Sequence, residues 1–467
     1  MLEEICFTPA RTLARLIRAR KLSATEVVRA FIAQIERVNP QVNAIVTFLP
    51  EEALKQAKAF DRKKPDGVLG GLPIAIKDVI ATKGVRTTWG SLVYKDHVPA
   101  EDHILAERLK AAGAILIGKT NTPEFGAGSQ TFNEVFGATR NPYDLSRTCG
   151  GSSGGAAVAT ACGMLPFADG GDFAASLRNP GSFCNVIGFR PSTGRVPAYP
   201  HPYPWSNLSE LGPMARTVSD AAFLLSVMAG PDPRAPTSIS EPGAVFLKPL
   251  KRSFRKTRIA WSRDLGGLPV DPQVTAVIEK NRSVFSELGC VIEQAEPDFS
   301  GATEAFEALR GLTYQHRVGA LIKDHRDKLK DTILWNYEEG RKLGAPDIAR
   351  AEAQRTALYH RMRRFLEKYE FFVCPTNQLP PFSVDEPYPK EIAGTKMHNY
   401  LDWMKSCYYI TITTHPAISV PAGFTGDGLP VGIQIVGRYR DDFGVLQLAH
   451  AFEQATEVWK RRPAIVQ

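Results

Sequence analysis

No Cys-x-x-Cys pair and no His-Glu-x-x-His run occurs in this chain of 467 residues. Its seven cysteines (6, 149, 162, 184, 290, 374 and 407) and nine histidines are dispersed. Neither a disulfide framework nor a common zinc spacing is therefore written into it. An odd number of scattered thiols suits a reducing compartment, and a cytoplasmic protein is expected. Neither a metal nor a nucleotide cofactor is expected. The start of the chain also lacks an uninterrupted apolar run. Residues 8–40 read instead as two amphipathic helices, the second opened by a Ser23–Glu26 capping box and carrying Val27, Phe31, Ile35 and Val38 on one face. Glu26 and Glu36 argue against an organellar presequence, and no membrane association is expected.

Blocks of one charge are scarce as well. The formal net charge is +8 and the pI about 9.0, yet the basic residues sit among acidic ones. The densest basic run, residues 248–256, reads as a solvated linker before a strand, so no nucleic-acid partner is expected. With 43% hydrophobic and 23% charged residues, the composition is that of a globular protein with a core large enough to shield a site from water.

Strand-like and helix-like segments alternate along the chain. Strands are expected at 74–80, 114–118, 258–261 and 290–293, and again in "EFFVCPT", "HPAISVPAG" and "LPVGIQIVGR" near the end. Helices are expected at 51–60, at 102–112 with Gly113 as its stop, and from Asp271-Pro272, as N-cap and first residue, to about 289. Residues 303–370 are mostly helical and charged. The pattern predicts an α/β protein: a three-layer α/β/α fold with a central mixed sheet, in one domain spanning 1–467. A peripheral, more helical region is expected at about 300–370.

Two features stand out against that background. Lys77 interrupts an apolar strand in "GLPIAIKDVI"; a charged amine there costs several kcal/mol unless it is paired or loses its proton. It can lie at a strand end, reach solvent or pair with Asp78; held neutral, it is a competent base for a hydroxyl. The second feature is the small-residue stretch 120–204. In it "GGSSGG" leads into a buried helix of small residues, and "GGDFAASLRNP" crowds backbone around Ser176. Close packing produces such stretches, and so do catalytic loops that bring backbone N–H groups to a reacting carbonyl.

Residues 150–197, "GGSSGGAAVATACGMLPFADGGDFAASLRNPGSFCNVIGFRPSTGRVP", resemble the signature of the amidase signature family nearly end to end. "GLPIAIKD", "GKTNTPEFG", "PAISVPAG" and "GLPVGIQIVGR" extend the resemblance over essentially the whole chain, with a signature core at about 70–200. The resemblance implies hydrolysis of amide C–N bonds through a Ser-Ser-Lys triad, with a small-molecule amide and water as partners and at most a second copy of the chain as a homodimer. By position, Lys77 matches the base, Ser152 the bridging serine after a cis Gly151–Ser152 peptide, and Ser176 the nucleophile. The backbone N–H groups of Phe173, Ala174, Ala175 and Ser176 match the oxyanion hole. Ser153, Asp172 and Arg178 are expected to support the loops. Asn121, Glu124, Phe125 and Ser129 are candidates for substrate binding, although the Asn121 amide and Glu124 carboxylate can equally orient the Lys77 strand or satisfy loop backbone.

The chain departs from the family pattern where most members carry Thr-Gly-Gly before the nucleophile and this one carries Phe173-Ala174-Ala175. Either the loop uses φ values that alanine accepts or the oxyanion hole is distorted. Phe173 is expected to plug the core or to wall the site. Three readings follow: a stand-alone amidase for neutral or aryl amides, with esters and carbamates as related substrates; the glutaminase subunit of a tRNA-dependent amidotransferase; and a catalytically silent binding relative. Against the second, residues 309–343 lack the Ala-Arg-Phe-Asp-Gly and Arg-Arg-Ile segments of that subunit, and its substrate-binding acid falls at Met404, two positions from Asp402. The aromatics of "AYPHPYPWSN" and "LWNY" are candidates to line an apolar pocket.

Overall fold

The computed structural model describes residues 2–63 and 65–467. The capping box forms as read. Ser23 Oγ accepts from Glu26 N at 3.0 Å, and Glu26 Oε2 accepts from Ser23 N at 2.8 Å, opening helix α1 (Ala24–Val42). Val27, Phe31, Ile35 and Val38 are all buried on its inner face.

Two sheets organise the chain. The smaller has three strands in the order β1 (Ile45–Phe48), β3 (Ile115–Thr120), β2 (Pro73–Lys77), with β2 parallel to β3 and β1 antiparallel to it. The larger is mixed and has eight. Its strands are β4 (Phe167–Asp172), β5 (Ile187–Arg190), β6 (Glu210–Ala215), β7 (Arg258–Trp261), β8 (Val291–Gln294), β9 (Phe371–Pro375), β10 (Ala417–Phe424) and β11 (Pro430–Gly437), in the order β8-β7-β9-β11-β10-β5-β6-β4. The pairs β7–β8 and β7–β9 are parallel and the remaining pairs antiparallel.

Alternation along the strands sets the layers. Ile259, Phe371, Val373, Ile418 and Ile435 share a core with helices α4 (Val218–Met228), α5 (Pro272–Lys280) and α9 (Asp442–Thr456) on one face. The intervening Ala260, Phe372, Cys374, Ala417 and Val436 face α6 (Ala302–His325), α7 (Ala345–Lys368) and α8 (Lys405–Ile412) on the other. This is the three-layer α/β/α arrangement with a mixed central sheet.

Several expected boundaries shift for local reasons. The strand expected over 74–80 ends at Lys77, where Ile80 N turns back to Lys77 O at 2.9 Å. The helix expected at 102–112 is Ile104–Ala111, capped by His103, whose Nδ1 accepts from Leu105 N at 3.1 Å; Asp102 instead pairs with Lys110 at 2.8 Å. The helix expected to run from 271 to 289 is broken at Asn281, whose Nδ2 donates to Val277 O and Ala422 O, both at 2.8 Å. The basic run 248–256 is exposed coil pinned by the buried Leu250 and Phe254.

Candidate active site

Lys77 lies at the end of β2 and is 2% exposed. Its backbone N–H donates to Asp169 Oδ1 on β4 at 3.1 Å, which ties the small sheet to the large one beside the amine. The side chain does not reach solvent and does not pair with Asp78, whose carboxylate takes Thr88 N–H and O–H instead. Lys77 Nζ donates to Ser152 Oγ at 2.7 Å and to Ser153 Oγ at 2.9 Å. Burial lowers its pKa to about 7, against the opposing pull of Asp169 and Asp172. Near neutral pH the amine is thus divided between charged and neutral forms.

Ser152 follows a cis Gly151–Ser152 peptide at the entrance to α2 (Gly154–Ala161). That short helix must pass close beneath β3. A Cβ on Gly155 would overlap Asn121 N and Ala44 O, so only glycine fits there. Ser153 does more than support the loop, its expected role, because it touches the amine itself. Its Oγ also accepts from Gly171 N at 3.3 Å and donates to Gly171 O at 3.4 Å.

Ser176 is joined to this loop through its backbone, since Ser153 N donates to Ser176 O at 3.2 Å. Residues 173–176 link β4 to helix α3 (Arg178–Phe183). Among the described residues, none of the backbone N–H groups of Phe173, Ala174, Ala175 and Ser176 finds an acceptor. Nor does any of the four have a positive φ, so both alanines sit in ordinary backbone conformations. The loop is braced from below. Asp172 takes Arg178 Nε and Nη2, both at 3.0 Å, and Leu177 N at 3.2 Å. Arg178 continues to Ala174 O, Gln434 Oε1 and Thr411 Oγ1 at 2.7–2.8 Å. Burial alone would push the Asp172 carboxyl up; Arg178 and Arg190 hold it below the ordinary value.

Lys77, Ser152 and Ser176 open onto one cavity of about 740 Å³. Phe173 walls it and packs outward on Phe306 and Tyr314, so it serves both roles considered for it. Of the proposed substrate-side residues, Phe125 lines the cavity and Asn121, Glu124 and Ser129 do not. Asn121 is spent on Gly137 O, Thr139 and Asn133, and Glu124 on Ser91 Oγ at 2.6 Å and Lys330 N at 2.8 Å. Ser129 opens onto a neighbouring pocket. Much of "AYPHPYPWSN" lines the same cavity; "LWNY" does not. Sequence reasoning missed Trp89, a second wall residue. Trp89 and Phe125 both hold positive φ (53° and 48°), and Phe125 N donates to Trp89 O at 2.7 Å. Bulky residues adopt such a φ rarely, and only where their surroundings enforce it.

The expectation of no nucleotide cofactor overlooked "GAILIGKT", residues 113–120, which has the G-x-x-x-x-G-K-T spacing of a phosphate-binding loop. Here it runs straight down β3, and Lys119 Nζ is buried and donates to Ile80 O, Thr82 Oγ1 and Thr87 Oγ1. No loop exists there to cradle a phosphate.

Residues 26–446 match the protein-family model for amidases. The chain belongs to the amidase family. Like that family, it is an amide-hydrolysing enzyme, acting on C–N bonds. An acylamidase of Rhodococcus erythropolis is 35% identical over 463 residues, with 97% of each chain covered. A glutamyl-tRNA(Gln) amidotransferase subunit from Moorella thermoacetica is also 35% identical, with 99% of each covered. Among solved structures, a bacterial aryl acylamidase of the amidase signature enzymes superposes on this amidase with a TM-score of 0.90 at 29% identity, covering 98% of this chain and 99% of that one.

Proposed function

We propose that this amidase cleaves neutral or aryl amides, with esters and carbamates as related substrates, through an acyl-enzyme on Ser176. The observation that carries the reading is the buried Lys77 amine, in contact with Ser152 and facing the same cavity as Ser176. Ser153 sets the direction of the relay. Its own proton is directed at Gly171 O, so it accepts an N–H from Lys77 and leaves the lone pair of the neutral amine for the Ser152 proton. Ser152 in turn accepts the Ser176 proton as Ser176 Oγ attacks the carbonyl carbon. The oxyanion forms beside the N–H donors of residues 173–176; losing one donor from such a site costs about 2.7–4 kcal/mol. The proton returns through Ser152 to the departing amine, and water reverses the route to release the acid.

Identity does not separate an acylamidase from an amidotransferase component, since the two relatives are equally similar. The cavity favours the first. Asp402 accepts from His398 N and pairs with Lys405 at 2.9 Å, Met404 is buried, and neither borders the cavity, so no acid at those positions awaits the ammonium of glutamine. Trp89, Phe125, Phe173 and Leu321 offer apolar walls suited to an aryl group. We take the chain to act as one domain in the cytoplasm, a setting its seven buried cysteines suit. No helix among the described residues is long and apolar enough to cross a membrane. A panel of p-nitroanilide, ester and carbamate substrates tests the reading, with aryl amides expected to turn over. Hydrolysis of free glutamine alone would reject it.

A further inference from the structure

Helix α6 presents two arginines to the same ring. Arg310 lies over Tyr314 at 4.8 Å and Arg317 over it at 5.8 Å. Arg310 is buried and held in place: its Nε donates to Asn336 Oδ1 at 2.9 Å, and its Nη2 to Tyr400 OH at 2.7 Å and Tyr314 OH at 3.4 Å. Arg317 differs. Among the described residues its guanidinium has no hydrogen-bond acceptor and no acidic partner, and it rests on the Tyr314 ring alone. With Tyr314 and Leu321 it occupies the helix face that walls the catalytic cavity.

Among the described residues lining the cavity, Arg317 is the only arginine. Burial holds Glu210 toward its protonated form, with a pKa of about 8, and its Oε1 already accepts from Gly194 N at 3.0 Å. Burial lowers His103 to about 4 and also lowers His201, with Arg317 adding to the latter shift. Lys77 is partly neutral. A cavity with one permanent, unpaired guanidinium and apolar walls suits an aryl group bearing a single negative charge.

We propose that Arg317 binds a carboxylate on the substrate, so that carboxylate-bearing aryl amides are preferred to their neutral counterparts. The proposal rests on the amidase reading for the identity of the ligand but is tested by binding alone. The unreactive Ser176→Ala protein is titrated calorimetrically with acetanilide, 4-acetamidobenzoate (carboxylate on the amine side) and succinanilate (carboxylate on the acyl side). At least one carboxylate is expected to bind about tenfold more tightly than acetanilide, as a charge-assisted contact of this kind supplies. The advantage should vanish on adding Arg317→Gln, persist in part with Arg317→Lys and shrink as salt rises. Equal or weaker binding of both carboxylates, or an advantage that survives Arg317→Gln, overturns the proposal. Arg317-dependent binding without cleavage of any of the three by the unmutated protein would instead sink the hydrolase reading and leave this one standing.

Discussion

In the proposed relay, the cost of burying a charge and the need for a base meet in the Lys77 side chain. Because the amine is held near a pKa of about 7 and only its neutral form accepts a proton, kcat/KM for a neutral anilide should rise through pH 7 with the loss of one proton and level off above it. A profile that is flat or falls over that range counts against Lys77 as the base. The two neighbouring hydroxyls should differ. Ser152→Ala removes the bridge and should lower kcat by about 10²–10⁴-fold. Ser153→Ala removes one hydrogen bond to the amine and should cost about tenfold while displacing the pH midpoint; equal losses in the two variants would contradict the assigned order. The proposed triad of Lys77, Ser152 and Ser176 could be read from the sequence because each residue sits in a recognisable local motif. The Lys77–Ser153 contact was not, since it joins positions 76 residues apart and no local pattern records it. The family resemblance pointed to Asn121 and Glu124, residue types that do bind ligands, but here loop backbone and neighbouring side chains occupy them.

The loop that carries Ser176 owes its shape to the element ends that frame it. Asp172 closes β4, Arg178 opens α3, and their buried pair holds Ala174 O and Leu177 N in place. Arg178→Gln leaves a buried carboxylate short of its partner and should destabilise the protein by about 3–5 kcal/mol in chemical denaturation. A loss under about 1 kcal/mol would mean the brace is dispensable. Since residues 173–176 use φ values open to any amino acid, restoring the family's glycines should not help. The Ala174→Gly, Ala175→Gly double variant should lose about 1–2 kcal/mol of stability with no gain in kcat; a clear rise in kcat would show that the methyl groups obstruct the site. Element types were readable where periodicity was strong, and strand 258–261 falls where it was expected. Boundaries failed where a distant group intervened, as at Asn281, which ends its helix by bonding to Ala422 on β10.

Over the whole molecule, Lys77, Ser152 and Ser176 reach one cavity because two sheets meet edge to edge. The proposed base, Lys77, arrives on the three-stranded sheet, the proposed nucleophile, Ser176, follows the end of the eight-stranded one, and Asp169 ties the two sheets through the Lys77 N–H. The three-layer class could be inferred from alternating helices and strands, but not the strand order, which depends on pairings as distant as β5 with β10. The charge of the cavity was equally hidden, because Arg317, Glu210 and the histidines reach it from separate segments. The account as a whole turns on which oxygen is acylated. Mass spectrometry after treatment with an aryl fluorophosphonate should place one adduct on the peptide containing Ser176, absent from Ser176→Ala and strongly slowed in Lys77→Ala. An adduct on Ser152 or another residue, or undiminished turnover by Ser176→Ala, would contradict it.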